Sequence, residues 1–228
     1  MSLTSDFVDQ TERKILKGEW KIGETIPPLR SLAEEFNVSR SVVNAAIVEL
    51  QNKGYLKTVP RKRTVVADWK KEGTLAVMDG LFKNGLMSSE YVADILDGRR
   101  TVELAAVKDA AKNRNDADLV ELKNIIDKEY SDCTVGQRVN LDVAFHHAIA
   151  KASHNFVYSI LLKSFEKVVV SLVSKFYENN FDREYVYSTH EKIYDAIKSK
   201  NAIDAEKRLA ELLSQGEYIV KTTMCKEE

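Results

Sequence analysis

The chain lacks any apolar run near the roughly 18 residues that a membrane-spanning helix requires, so no membrane span is predicted. Its first residues also lack the pattern of a secretory signal. Only two cysteines occur, Cys133 and Cys225, and their spacing is neither that of a pair nor that of a metal site. These absences predict a cytoplasmic protein with free thiols.

Residues that interrupt helices are also scarce. The 228 residues include three prolines and nine glycines, which favours long helices. Apolar side chains make up 44% of the chain, enough for a packed core in one or two domains. The formal net charge is −1, so a surface that attracts nucleic acid has to be a local one.

The most informative pattern lies between residues 26 and 66. Two segments carry apolar residues at helical spacing and are separated by Asn37 and Val38, which predicts a helix-turn-helix. Ser39 and Ser41 are both candidate N-caps of the second helix, and Gly54 follows it where a C′ glycine is expected. Two β-prone segments, 55–59 and 64–66, then flank a basic tip, which is the order of a winged helix-turn-helix.

The charge of this segment supports a role with DNA. Residues 37–67 hold six lysines and arginines against one acidic residue, Glu49, a local excess of +5. Such folds read base edges at the start of the second helix, where arginine can bind guanine and asparagine can bind adenine. The alternative is a helical hairpin whose charges are merely solvated.

This half of the chain resembles the GntR family of bacterial transcription regulators. The resemblance rests on residues 15–20, Gly23, 26–30, 32–36, 38–40, Ala46, Leu50 and 54–56. It implies that the DNA-facing residues of the helices are Arg30, Ser39, Arg40, Ser41 and Asn44. The family's wing usually carries glycine at its tip, whereas this chain has Arg61 and Lys62, whose charge suits phosphate contacts.

Beyond the wing the sequence predicts helices only. Residues 69–73 are predicted to be a linker, and helices are predicted over 74–81, 88–113, 117–130, 135–153, 156–178, 184–199 and 202–223. We expect a DNA-binding domain over 1–68, a linker and connecting helix over 69–85, and an effector-binding and dimerisation domain over 86–228. The predicted fold class is mainly α, with an N-terminal winged helix-turn-helix, a small β-hairpin wing and a C-terminal antiparallel all-helical bundle.

The helical half contains one spacing typical of a metal site. Asp142 and His146 are four residues apart on one predicted helix, so their side chains share a face. His190 on a later helix could supply a third ligand. The alternative is a polar pair without a metal.

This half resembles the FCD effector domain over most of residues 86–215. The resemblance rests on Arg99 and Glu103, on Asp142, Phe145, His146 and Ile149, on residues 152–155, and on His190, Ile193, Ala196 and Ile197. It implies a divalent metal, such as zinc, nickel or manganese, held by Asp142, His146 and His190, with Leu212 where the family has a fourth ligand. It also implies that Arg99 and Asn155 contact an anionic effector, although Arg99 could instead form only an ion pair with Glu103.

A second branch of the resemblance stays open. Residues 63–69, 73–75, 141–142, 152–155 and 176–177 are similar to the branch of the family that binds acyl-coenzyme A without a metal. Leu212 favours this branch, whereas His146 and His190 favour the metal.

The leading functional hypothesis is a homodimeric, effector-responsive repressor that binds a palindromic double-stranded DNA operator. A metal-dependent enzyme using Asp142, His146 and His190 is a weaker hypothesis, because no HExxH motif or phosphate-binding glycine loop accompanies these residues. A purely architectural DNA-binding protein is the third, and it leaves the helical half without a ligand.

Overall fold

A computed structural model describes residues 2–60, 63–131, 133–178 and 183–224. The chain divides into two compact units, Met1–Met87 and Ser88–Glu228. None of the helices within the described ranges is both long and apolar enough to cross a membrane.

The first unit begins with three helices, α1 (Leu3–Leu16), α2 (Leu29–Glu35) and α3 (Arg40–Lys53). Asn37 takes a positive φ of 51° in the turn between α2 and α3. Ser39 is the N-cap of α3, since its hydroxyl accepts a hydrogen bond from the backbone N–H of Val42 at 3.3 Å. Gly54 ends α3 in the left-handed conformation with φ 83°, as expected of a C′ glycine.

The wing is a two-stranded antiparallel sheet of β1 (Leu56–Thr58) and β2 (Thr64–Val66), in which Lys57 pairs with Val65. An isolated bridge between Thr25 and Val65 joins the segment before α2 to the same sheet. The predicted tip residues Arg61 and Lys62 lie outside the described residues.

The segment after the wing, which was predicted to begin with a linker, contains helical structure from its first residues. Residues Trp69–Glu72 form a short helix, α4, and Ala76–Lys83 form the connecting helix, α5. Gly54 approaches this segment so closely that a Cβ on it would lie 2.4 Å from the carbonyl oxygen of Glu72. Thr74 donates two hydrogen bonds to the carbonyl of Lys53, from its backbone N–H at 3.0 Å and its hydroxyl at 3.3 Å. The end of α3 and the start of the connecting segment therefore share backbone contacts.

The second unit is a helical bundle, as predicted. Its helices are α6 (Ser89–Asn113), α7 (Asp116–Tyr130), α8 (Val135–Ala152), α9 (Phe156–Glu178), α10 (Arg183–Lys198) and α11 (Ala202–Met224). Side-chain oxygens accept a backbone N–H at the start of five of them, at Ser88, Asn115, Thr134, Asn155 and Asn201.

The core of this bundle draws apolar side chains from several helices. Val107, Ile126, Phe145, Ile193 and Leu209 are all 0% exposed and belong to one cluster. This core sets the relative positions of α6, α7, α8 and α10, which carry the polar groups described next.

Candidate functional site

The first candidate site is the exposed face of α3. Arg40 is its first residue, and Ser41 and Asn44 are exposed beside it. Ser39 and Ser41 flank Arg40 at the N-terminus of α3, and their hydroxyl oxygens are 2.7 Å apart. The backbone N–H groups at a helix N-terminus can bind a phosphate. Arg30 on α2 is also exposed, and it forms an ion pair with Glu34 at 2.9 Å. An i, i+4 pair of this exposure contributes little to stability, so Glu34 leaves Arg30 available to DNA.

The same face of α3 carries residues that the sequence pattern did not single out. Ala45 is exposed, and 54% of Val48 is exposed although valine is apolar. Both lie at helical spacing from Ser41 and Asn44, on the side opposite the buried Val43, Ala46 and Leu50. A methyl group on this face could contact the methyl of thymine.

The second candidate site is a buried cluster between α8 and α10. Asp142 and His146 of α8 and His190 of α10 offer ligand atoms that all lie within 4.8 Å of one another. The structure thus brings together the three residues that the sequence spacing and the resemblance indicated. Phe145 stacks on the ring of His190 with centroids 4.0 Å apart, which holds the imidazole in place.

Each residue of the cluster also forms a hydrogen bond with a polar side chain outside the cluster. Nδ1 of His190 lies 2.8 Å from Oε2 of Glu129, and Nδ1 of His146 bonds a carboxylate oxygen of Glu103. The hydroxyl of Tyr177 donates to Oδ1 of Asp142 at 3.4 Å. Because an ionised carboxylate only accepts, the tautomer of a neutral imidazole that suits these bonds has its proton on Nδ1 and its lone pair on Nε2.

Nε2 of His190 is the atom that most clearly indicates a binding site in this cluster. This atom is buried and has no hydrogen-bond partner among the described residues. Its nearest anionic neighbour is Oδ1 of Asp142 at 3.9 Å. The donor set of one carboxylate and two imidazoles, backed by carboxylates, therefore fits a divalent cation.

The electrostatics of the cluster follow from these pairs. Burial alone would raise the pKa of Glu103, but Arg99 and His146 outweigh it and lower the pKa to about 2. Burial alone would lower the pKa of His190, but the carboxylates of Glu129 and Asp142 raise it. Burial, followed by the charge of Asp142, raises the pKa of Tyr177, so its hydroxyl stays a donor.

A cavity of about 60 Å³ opens beside Asp142 and His146. Arg99 lies in its wall, and its Nε bonds Glu103, so the predicted ion pair within α6 is present beside the cavity. The remaining wall is mostly apolar and includes Leu212, at the position aligned with the family's fourth ligand. Asn155 lies elsewhere: it precedes α9, where its side chain accepts from the N–H of Val157 at 3.1 Å.

Sequence reasoning missed the groups that hold the ligands. The spacing of four residues between Arg99 and Glu103 indicated only an ion pair between the two, not a contact of Glu103 with His146. Glu129 lies 61 positions from His190, and no local pattern links the two.

Both halves of the chain match families of known proteins. Residues 3–66 match the family described as bacterial regulatory proteins, gntR family, and residues 94–215 match the FCD domain. The HTH-type transcriptional regulator LutR of Bacillus subtilis is 26% identical over 214 residues, which are 90% of this chain and 95% of that protein. The Glc operon transcriptional activator of Escherichia coli is 26% identical over 199 residues, 83% of this chain and 77% of that protein.

A solved structure shares the fold. The GntR protein of Streptococcus agalactiae, 21% identical, aligns with a TM-score of 0.52 over 94% of this chain and 99% of that one. The chain therefore belongs to the gntR family of bacterial regulatory proteins, with an FCD domain as its second half, and is a DNA-binding transcriptional regulator rather than an enzyme.

Proposed function

We propose that this protein is a homodimeric repressor that binds a palindromic operator and releases it when a small anionic effector enters the cavity beside a bound divalent metal. The observation that carries the ligand-binding part is the unpartnered, buried Nε2 of His190. A buried polar atom without a partner costs about 1–3 kcal/mol. A metal ion that accepts its lone pair removes that cost.

Asp142, His146 and His190 would hold the ion, which could be zinc, nickel or manganese. Leu212 supplies no ligand atom, so positions on the ion remain for water or for the effector. The ion would supply a positive charge that attracts a carboxylate. Arg99 adds a guanidinium to the same wall, a group that pairs well with carboxylates.

The size of the cavity favours a small effector over an acyl chain. Its volume of about 60 Å³ is well under half of the roughly 150 Å³ of a cavity that holds benzene. A short carboxylate has a few non-hydrogen atoms, whereas a long acyl chain would require the walls to separate. Acyl-coenzyme A without a metal remains the alternative effector, and it should bind a protein that retains no ion.

The DNA-binding part rests on the exposed start of α3. One such helix per protomer would read one half-site, and a two-fold axis would pair two of them about 34 Å apart along a palindrome. We predict release by the effector, as the repressor hypothesis requires. The Glc operon relative is named as an activator, so the direction of the response has to be measured.

Native mass spectrometry before and after chelator treatment tests the assembly and the ligand together. We expect a dimer with one chelator-removable divalent ion per chain. His190→Ala should lose the ion, whereas His154→Ala, at an exposed histidine outside the cluster, should retain it. A monomer in the wild-type protein would contradict the dimer, and an ion retained by His190→Ala would contradict the site.

A second experiment tests the effector and the direction of the response. An operator selected from random DNA is titrated with acetate, L-lactate, citrate or palmitoyl-coenzyme A present. Weaker operator binding with a short carboxylate supports the proposal. Tighter binding would make the protein an activator-type regulator, and a response to palmitoyl-coenzyme A alone, in metal-free protein, would replace the carboxylate hypothesis.

A further inference from the structure

We propose that Glu103 couples Arg99 to the metal ligand His146, so that the charge state around Arg99 sets how tightly His146 binds the metal. This inference rests on the proposed metal site. It assigns to Glu103 a positioning role, because Glu103 acts on the metal only through His146.

The two oxygens of the Glu103 carboxylate form hydrogen bonds with two different side chains. Oε1 of Glu103 accepts from Nε of Arg99, and Oε2 accepts from Nδ1 of His146. The Glu103 side chain is 3% exposed, and those of Arg99 and His146 are 9% and 6% exposed. Water therefore screens these interactions weakly, and each partner responds to the other's charge.

The direction of the coupling follows from competition for one negative charge. When Arg99 bonds Glu103 strongly, the carboxylate is a weaker acceptor for His146. When Arg99 is neutralised by another anion, the carboxylate accepts more strongly from Nδ1, and the other nitrogen of His146 becomes a better metal ligand. An anion at Arg99 and a metal at His146 should therefore favour each other, and the coupling must be reciprocal.

Glu129 provides the matched comparison. It bonds Nδ1 of the other histidine ligand, His190, at 2.8 Å. It is not among the residues that line the cavity with Arg99. A substitution at Glu129 should weaken metal binding in the same way without changing the effect of Arg99.

The test is a double-mutant cycle on zinc affinity, measured by competition with a chromophoric chelator on the full-length protein. Glu103→Gln and Glu129→Gln should each weaken zinc binding by about 10–100-fold. Arg99→Gln removes the positive charge and keeps a hydrogen-bond donor, so zinc should bind several-fold more tightly. Part of this increase in zinc affinity comes from removing the direct repulsion between Arg99 and the ion. That part should also appear when Glu103 or Glu129 is substituted.

The coupling is the part that depends on Glu103. The gain from Arg99→Gln should be clearly smaller in the Glu103→Gln background, where the amide has one acceptor oxygen instead of two, and undiminished in the Glu129→Gln background. Equal gains in all three backgrounds would overturn the coupling while leaving the metal site intact. Absence of zinc binding by the wild-type protein would overturn the proposed function and this inference together.

Acetate provides a readout that needs no substitution at Arg99. If Arg99→Gln does not fold, zinc affinity is measured with and without acetate at matched ionic strength in the wild-type and Glu103→Gln proteins. Tighter zinc binding with acetate in the wild-type protein alone supports the coupling. No effect of acetate on the wild-type protein, or the same effect on both proteins, contradicts it.

Discussion

The hydroxyl oxygen of Tyr55 lies 2.1 Å from the position that a Cβ on Gly80 would occupy. Tyr55 follows α3, and Gly80 lies in the connecting helix α5. The hydroxyl is buried and has no hydrogen-bond partner within the described part of the chain. Glycine at position 80 therefore allows α5 to pack directly against this ring.

Gly80→Ala should lower the stability of the first unit although alanine favours helices. The added methyl group overlaps the Tyr55 hydroxyl, and overpacking of this kind costs about 1–3 kcal/mol. Tyr55→Phe removes an unpaired hydroxyl and should be nearly neutral or stabilising. Urea denaturation of the single and double variants should show that Tyr55→Phe restores most of the stability lost in Gly80→Ala. Additive effects would mean that the ring and the helix adjust independently.

Glu12 should make stability depend on pH in a direction opposite to most carboxylates. It is 2% exposed and bonds Nζ of Lys53 at 2.9 Å. Burial raises the pKa of Glu12 above its ordinary value of 4.5 despite the lysine. The folded state therefore binds the proton more tightly than the unfolded state, and this stability is present below pH 4.5 and lost as pH rises through the folded pKa.

The melting temperature of Glu12→Gln relative to wild type should therefore increase with pH above 4.5. Glu49→Gln is the control for loss of a partner of Lys53, since Glu49 bonds the same Nζ at 2.8 Å but is 45% exposed. A difference between Glu12→Gln and wild type that stays constant with pH would contradict the role of burial.

Arg40→Ala should weaken specific operator binding by about 1–3 kcal/mol if Arg40 reads a base. The loss should be largest for the preferred operator and small for unrelated DNA, because phosphate contacts alone do not distinguish sequences. Lys207→Ala removes the same charge from an exposed position in the second unit and serves as the control. Fluorescence anisotropy at fixed salt measures both, and unchanged operator affinity in Arg40→Ala would remove this residue from the reading surface.

Leu212→His should add a fourth ligand to the proposed metal site. Leu212 is 7% exposed and lines the cavity with Asp142 and His146. We expect zinc to bind at least about tenfold more tightly and a carboxylate effector to have a weaker effect, because the histidine occupies a position otherwise left for it. Leu212→Met keeps the wall apolar and should leave zinc affinity near the wild-type value. Isothermal titration compares the three proteins, and equal affinity in all of them would place Leu212 out of reach of the ion.

The sequence predicted local structure well where the signal is periodic. Every helix predicted over residues 88–223 is present with ends within one residue of the prediction, since long amphipathic segments with caps at Ser88 and Asn115 leave few alternatives. Residues 69–73 are predicted to be a linker, because a helix of four residues is too short to show an apolar periodicity. In the structure, Glu72 of this short helix lies against Gly54. Asp142 and His146 were predictable from their spacing, whereas Glu129 meets His190 only through the packing of α7 against α10.

The close contact between α3 and the chain that follows the wing has a mechanical consequence. Lys53 ends α3, and its carbonyl receives both bonds from Thr74, while the backbones of Gly54 and Gly73 nearly touch. A displacement of Thr74 therefore either pulls on the carbonyl of Lys53 at the end of α3 or breaks the two hydrogen bonds that join them.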